Sequence, residues 1–147
     1  MTLIREVIEK KSLQELITVQ SGAPLVEAAG LMARWNVGAL LVLEDDAVVG
    51  IVSERDFVRT VAALGRPFSG VMVNDIMSRA VRLIPGDLTV ENCMALMTHL
   101  RLRHLPVEED GEVIGIISLG DLVKETISEQ SFLIEQLEAY ISRSANA

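Results

Sequence analysis

The sequence aligns with itself without a gap when it is shifted by 65 positions. This shift superimposes a glycine, a serine and an aspartate at fixed spacing, placing Gly50, Ser53 and Asp56 on Gly115, Ser118 and Asp121. The period exceeds that of solenoid repeats, and the chain contains only two copies. We therefore expect a pseudo-symmetric pair of units rather than an extended array.

A short segment before each copy also repeats, but at an offset of 69, so that residues 4–8 correspond to residues 73–77. The first copy must therefore hold about four extra residues, which we place around residues 11–15. Gly, Pro and Ser between residues 65 and 70 indicate a linker. The predicted domains are a first unit with an N-terminal helix over 1–65, a linker over 66–72, a second unit over 73–127, and a C-terminal helix and tail over 128–147.

Each copy predicts the element order β-α-β-β-α, and hence an α/β (α+β) fold. One amphipathic helix is followed by two short apolar runs, and a polar, acidic turn suited to a hairpin separates those runs. A further amphipathic helix ends the chain, with its apolar residues at Leu133, Ile134, Leu137, Tyr140 and Ile141. Its apolar stripe needs a cover, which is either the rest of the chain or a second copy in a homodimer.

Composition disfavours several classes of partner and site. The formal net charge of −8 argues against binding to nucleic acid or to anionic membranes. Cys93 is the single cysteine, which excludes an intramolecular disulfide, and neither histidine has partners at metal-ligand spacing. We find no signal-type segment and no run near the roughly 18 apolar residues of a spanning helix. We therefore expect a soluble cytoplasmic protein without a metal site.

The repeated pattern of Gly, two apolar residues, Ser, two variable residues and Asp, each time behind a β-α-β unit, resembles that of paired CBS domains. The two heptads are residues 50–56 and 115–121. This resemblance implies two units packed sheet to sheet as a Bateman module, most similar to short stand-alone forms. It also implies two symmetry-related clefts for adenosyl ligands such as AMP, ADP, ATP, NAD or S-adenosylmethionine, and a dimeric, disc-shaped assembly.

The aspartates and serines of the two motifs are the main candidate ligand contacts. A carboxylate accepts two hydrogen bonds side by side, which suits the vicinal hydroxyls of a ribose and makes Asp56 and Asp121 the predicted ribose contacts. Ser53 and Ser118 each end a strand before a helix, where anions are favoured, and are predicted to face phosphate. Alternatively both pairs only cap the following helices. Capping and binding can coexist.

The two clefts are predicted to differ in charge. Arg55 offers hydrogen-bond donors to a phosphate, whereas the second copy has Gly120 at that position. Basic side chains beside the second cleft can supply its missing charge or can form a solvated turn; these are Arg101, Arg103 and His104. Candidates for holding adenine are Val37, Gly38, Ala39, Leu102 and Pro106. Thr18 matches a position where the family often places a polar contact, and Leu83 replaces it in the second copy, so the first cleft is expected to be the more elaborate.

The function that we expect is regulatory and non-catalytic. An adenine nucleotide would act as a signal and not as a catalytic cofactor, and the output would be a separate effector protein. The alternative is a ligand-free dimeric adaptor that recruits partners through its C-terminal helix. A hydrolase is disfavoured because neither predicted cleft pairs a base with a nucleophile.

Overall fold

The structure is a computed structural model, and it describes residues 1–11, 16–65 and 69–145. The elements of the first half are α1 Ile4–Lys10, β1 Thr18–Gln20, α2 Leu25–Trp35, β2 Ala39–Glu44, β3 Ala47–Ser53 and α3 Glu54–Leu64. Those of the second half are α4 Val73–Ile76, β4 Ile84–Pro85, α5 Val90–Leu100, β5 His104–Glu109, β6 Glu112–Ser118 and α6 Leu119–Ala145. The predicted order β-α-β-β-α is confirmed in both units, each preceded by a short helix.

The two units have the same strand pairing. Each has a three-stranded sheet in which a parallel pair is followed by an antiparallel hairpin, in the orders β1-β2-β3 and β4-β5-β6. Both hairpins shift register at equivalent places, between Val42 and Leu43 and between Val107 and Glu108. Their turn residues have positive φ angles, 50° and 66° at Asp45 and Asp46, and 52° and 79° at Asp110 and Gly111. Small or polar residues tolerate this conformation, which explains the acidic turns.

Each unit has its own hydrophobic core, formed where a helix packs on one face of the sheet. The first core is built around Leu40, Val42 and Val52 of its sheet, and the second around Leu105, Val107 and Ile117. These residues alternate along their strands, as one buried face of a sheet requires.

The short leading helices are exchanged between the units. Val73 and Met77, at the start of the second half of the chain, belong to the first core, and Ile4 and Val7 belong to the second. We predicted the N-terminal helix as part of the first unit, but the structure packs it in the second. Sequence order could not show this, because the offset of 69 assigns each helix to a copy without saying which core its apolar face completes.

The opposite faces of the two sheets are also buried. Leu41 is fully buried and lies on the other side of β2 from Leu40 and Val42. Pro106 has the corresponding position in β5 and is buried as well. At the start of these strands the two units approach closely, since a Cβ atom on Gly38 would lie 2.8 Å from Nε2 of His104. The expected packing of sheet against sheet is confirmed.

The helix that follows the second motif and the predicted C-terminal helix are one helix of 27 residues, α6. It crosses our predicted boundary at residue 127 without a break, because no glycine or proline interrupts the sequence after Gly120. Its distal apolar residues remain exposed, from 53% at Leu137 to 66% at Tyr140, so the rest of the described chain does not cover them. No helix in residues 1–11, 16–65 and 69–145 is long and apolar enough to cross a membrane.

Candidate functional site

Both motifs form the same capped junction between a strand and a helix. The amide of Ser53 donates to Oδ2 of Asp56 over 2.8 Å, and the amide of Ser118 donates to Oδ2 of Asp121 over the same distance. The hydroxyl of Ser118 also accepts the amide of Asp121 at 3.0 Å. The capping interpretation of these residues is therefore confirmed. Capping also fixes the direction of each carboxylate at the end of its strand, which a ligand contact would need.

A cavity of about 940 Å³ lies between the two units at the second motif. Its wall combines the C-terminal end of α1, the segment leading into β2, and the junction of β6 with α6. Of the residues that the sequence singled out, those lining it are Val37, Gly38, Ala39, His104, Ser118 and Asp121. Val37, Gly38 and Ala39 come from the first unit, His104, Ser118 and Asp121 come from the second, and the structure brings them together.

The remaining predicted residues do not line this cavity. They are Thr18, Ser53, Arg55, Asp56, Arg101, Leu102, Arg103 and Pro106. Arg55 and Arg103 are exposed, while Pro106 is buried between the sheets. We expected the first cleft to be the more elaborate, and this stays a prediction; the cavity of about 940 Å³ lies at the second motif.

Lys11 is the principal charged partner of the second motif. Its Nζ lies 2.9 Å from Oδ2 of Asp121 and donates to the carbonyl of Ile116 over 2.8 Å. Burial raises the pKa of Asp121, but the hydrogen bonds from Lys11 and from the Ser118 amide outweigh it, so this pKa lies below its ordinary value. The carboxylate is therefore ionised at neutral pH.

His104 does not carry the positive charge that we considered for the second cleft. Burial lowers the pKa of His104, against the opposing effects of Glu54 and Asp121, so its imidazole is neutral at pH 7. The cation next to Asp121 is Lys11 instead. The position of Glu54 near His104 and Gly38 shows that the first motif also reaches this contact between the units.

Two more ion pairs hold α1 against the rim of the cavity. Nε of Arg5 lies 2.5 Å from Glu109, and Nζ of Lys10 lies 3.0 Å from Glu125. Sequence reasoning missed these groups and Lys11, since they come from outside the repeated motifs. The offset of 69 between residues 4–8 and 73–77 did contain a signal for where the leading helices pack. It equates Ile8 with Met77, and in the structure these side chains face Gly115 and Gly50 respectively.

The single cysteine lies away from the cavity. Cys93 is buried in the second core, and burial raises the pKa of its thiol to about 11. Among residues 1–11, 16–65 and 69–145, no three His, Cys, Asp or Glu side chains are grouped to hold a metal ion.

The sequence profile of the CBS domain matches residues 4–63 and 73–128. The chain belongs to the CBS-domain family. Over 120 residues it is 38% identical to the mitochondrial CBS domain-containing protein CBSX3 of Arabidopsis thaliana, an alignment covering 78% of this chain and 58% of that protein. It is 32% identical to the CBS domain-containing protein YhcV of Bacillus subtilis, covering 80% and 83% of the two chains. The chain thus spans little more than half of the plant relative.

Solved structures of CBS-domain proteins share the fold. One from Burkholderia ambifaria is 40% identical and superimposes with a TM-score of 0.82, covering 88% of this chain and 96% of that chain. Another from Agrobacterium tumefaciens is 36% identical with a TM-score of 0.78, covering 84% and 92%. The sheet order and the trailing helix described above are therefore those of a pair of CBS units.

Proposed function

We propose that this pair of CBS units is a non-catalytic regulatory module that binds an adenosyl compound in the cavity at Asp121. The observation that carries the proposal is the cavity of about 940 Å³ between the units, into which the capped Ser118–Asp121 junction projects. Ligand sites of this kind commonly enclose about 300–1,000 Å³. A nucleotide therefore fits the available space.

The lining groups suit the three parts of a nucleotide. Asp121, ionised and held in place by the Ser118 amide, accepts the two hydroxyls of the ribose. Phosphate then lies towards Ser118 and the first turn of α6, where main-chain amides and the helix dipole favour an anion. Val37, Gly38 and Ala39 line the same cavity. We propose that they supply hydrogen-bond partners and apolar surface for adenine.

A second site of the same kind is proposed at the first motif. It would use Asp56 for ribose, Ser53 and Arg55 for phosphate, and Thr18 as a polar contact. Arg103, which we expected at the second cleft, and Pro106, an expected adenine contact, are proposed here as ligand contacts from the second unit. Pseudo-symmetry supports this assignment, since the first motif is capped in the same way as the second.

The CBS fold itself is compatible with adenosyl ligands. A CBS domain pair that is 23% identical to this chain, with a TM-score of 0.71, was solved in complex with 5′-methylthioadenosine and S-adenosyl-L-methionine. That likeness concerns the fold and does not choose among AMP, ADP, ATP, NAD and S-adenosylmethionine for this chain. We propose that the bound compound shifts the balance between two arrangements of the units, and that an effector protein in the cytoplasm responds to it.

The test is a thermal-shift and calorimetric screen with AMP, ADP, ATP, NAD and S-adenosylmethionine, on protein stripped of co-purified nucleotide. Bound ligand raises the melting temperature by mass action. Asp121→Asn keeps the shape of the side chain and removes its charge, and we expect it to weaken binding about 10- to 100-fold. Asp56→Asn is the matched variant at the other motif. Absence of a shift with every compound would contradict the proposal and favour the adaptor.

A homodimer is the second part of the proposal, supported by the exposed distal stripe of α6. Its five apolar side chains, between 53% and 66% exposed, are Leu133, Ile134, Leu137, Tyr140 and Ile141. Single exposed apolar residues are ordinary, but a stripe along one helix face favours association. Larger assemblies occur among relatives, since a CBS-CP12 protein of bloom-forming cyanobacteria, 28% identical, with a TM-score of 0.73 and 66% of its length covered, is hexameric.

Light scattering after gel filtration tests this association. Leu137→Lys is expected to shift the protein from dimer to monomer, because it buries a charge in the proposed contact. Glu135→Lys introduces the same side chain on the opposite face of α6 and serves as the control. A monomeric wild type, or equal effects of the two substitutions, would show that this stripe does not form a dimer.

A further inference from the structure

Resting on the proposed function, we infer that Lys11 determines the ligand specificity of the Asp121 cavity. Its ammonium group holds the ribose-binding carboxylate until a ligand arrives and then pairs with the phosphate of that ligand. The cavity therefore selects adenosyl compounds that carry phosphate over neutral adenosine and over the cationic sulfonium S-adenosylmethionine.

The first support is the position of the ammonium group. Nζ of Lys11 lies 2.9 Å from Oδ2 of Asp121, and it also donates to the carbonyl of Ile116 in the strand leading to Ser118. A ribose that binds Asp121 must compete with this contact. The pair is not sealed from water, since the side chains of Lys11 and Asp121 are 29% and 24% exposed. The long, flexible lysine stem can thus move its charge within the cavity.

The second support is the charge balance of the cavity wall. Among the described residues, its four cationic side chains are Arg5, Lys10, Lys11 and Lys124, and its four anionic ones are Glu9, Glu109, Asp121 and Glu125. Arg5 and Lys10 pair with glutamates at the rim and can keep these partners when a ligand binds. Of these three ion pairs in the part of the chain that the structure describes, the Lys11 pair is the one that uses the proposed ribose carboxylate.

Displacing Lys11 from Asp121 therefore costs a different amount of binding free energy for each class of ligand. A phosphate close to Ser118 gives the released ammonium a new anionic partner through a charge-assisted hydrogen bond. A neutral nucleoside provides no such partner, so the lost ion pair counts against its binding. A sulfonium group brings a further positive charge beside Lys11, and the repulsion disfavours it more strongly.

Within residues 1–11, 16–65 and 69–145, a lysine pairs with the motif aspartate in the second unit, and no such pair is present at Asp56. Extending the offset of 69, under which Ile8 and Met77 occupy equivalent positions against Gly115 and Gly50, makes Ala80 the counterpart of Lys11. Alanine has no charged group, so this position cannot supply an ammonium group as Lys11 does. The equivalent position in the other half of the chain therefore provides a control. Ala80→Lys tests whether a lysine placed there alters the ligand preference of the Asp121 site.

The experiment measures the affinities of AMP, adenosine and S-adenosylmethionine by calorimetry in the wild type, Lys11→Met, Lys11→Arg and Ala80→Lys. Lys11→Met keeps the length of the side chain without its charge, and we expect the ratio of AMP affinity to adenosine affinity to fall at least about tenfold. Lys11→Arg is expected to restore the preference for AMP. Ala80→Lys is expected to leave the ratio at the Asp121 site unchanged.

A separate measurement follows the ionisation of the Asp121 carboxyl group in the absence of ligand. Carbon-13 NMR titration of its carboxyl group is expected to give a higher pKa in Lys11→Met than in the wild type, which a change in packing alone would not produce. Equal loss of AMP and adenosine affinity in Lys11→Met, or an unchanged ratio, would overturn the role of Lys11 while leaving the proposed function intact. If no adenosyl compound binds the wild type, the proposed function fails and this inference fails with it.

Discussion

The two CBS motifs have the same backbone but different surroundings. In both, the serine amide donates to the aspartate carboxylate over 2.8 Å, yet Asp121 pairs with Lys11, whereas the residue that aligns with Lys11 in the second half of the chain is Ala80. The difference comes from the segment between the leading helix and the first strand, where the copies also differ in length. The two copies therefore share the capped junction between strand and helix. The two sites differ through residues outside that junction.

The exchange of leading helices makes the two units depend on each other, and matched core substitutions measure that dependence. Leu40→Ala and Leu105→Ala remove fully buried side chains at equivalent positions, and each is expected to cost about 2–5 kcal/mol. Because each core contains a helix from the other half, we expect one unfolding transition in urea for both variants. Separate transitions for the two halves, followed by fluorescence and circular dichroism, would show that the units are independent.

The motif glycines offer a sharper comparison. A Cβ atom on Gly50 would lie 2.9 Å from the carbonyl oxygen of Ser78, a backbone atom, whereas one on Gly115 would meet only the side chain of Ile8, at 3.1 Å. Gly50→Ala should therefore cost about 1–3 kcal/mol, because the backbone must move, and Gly115→Ala clearly less. Urea denaturation of the two variants measures the difference. Equal losses would mean that the helices pack on the two glycines in the same way.

The ion pair at the second motif should appear in the pH dependence of stability. Since the folded pKa of Asp121 lies below its ordinary value of 3.8, its contribution is complete above that pH and is lost as the pH falls through the folded pKa. Lys11→Met should reduce this acid-dependent stability, by about 1 kcal/mol at neutral pH. Thermal melts between pH 3 and pH 7 follow the effect, and Ala80→Met is the control at the equivalent position. Parallel curves for the wild type and Lys11→Met would contradict the pairing.

His104 should weaken the fold in mild acid. Its folded pKa lies below the ordinary value of 6.5, so the unfolded chain takes up a proton first and stability falls as the pH drops from 6.5 towards the folded pKa. His104→Gln should flatten this part of the curve, since it removes the titration. Ala39 has the equivalent position in the first unit, so no corresponding titration arises there. An unchanged slope in His104→Gln would show that another group causes the acid sensitivity.

The smallest effect on stability is expected at a pair of equivalent core positions whose side chains differ by one heavy atom. Cys93 replaces Ala28 of the first core, and Cys93→Ala should cost about 1 kcal/mol or less. Burial raises the pKa of the Cys93 thiol to about 11, so we expect a thiol reagent to react with it only when the chain unfolds. Reaction rates in increasing urea test this, and rapid reaction in the native state would contradict the packing.

Much of the site was predictable because each capped junction is formed by residues that are close together in the sequence. The spacing of Ser118 and Asp121 fits one capped helix turn, and the same spacing at Ser53 and Asp56 gave the same junction. The partners across the cavity were not predictable in this way. Val37 and Asp121 are far apart in the sequence and belong to different units, and only the packing of the sheets brings them to one cavity.

The sequence by itself determined the duplication, the order of elements in each unit, the two capped motifs and the CBS family, because these depend on periodicity and on contacts between near neighbours. The tertiary structure decided which core each leading helix completes, which residues of the two units share the cavity at Asp121, and which cation meets Asp121. Those outcomes depend on contacts between residues far apart in the chain. Pairing Lys11 with Asp121 requires α1 to cross to the second unit, and no local pattern in the sequence encodes that crossing.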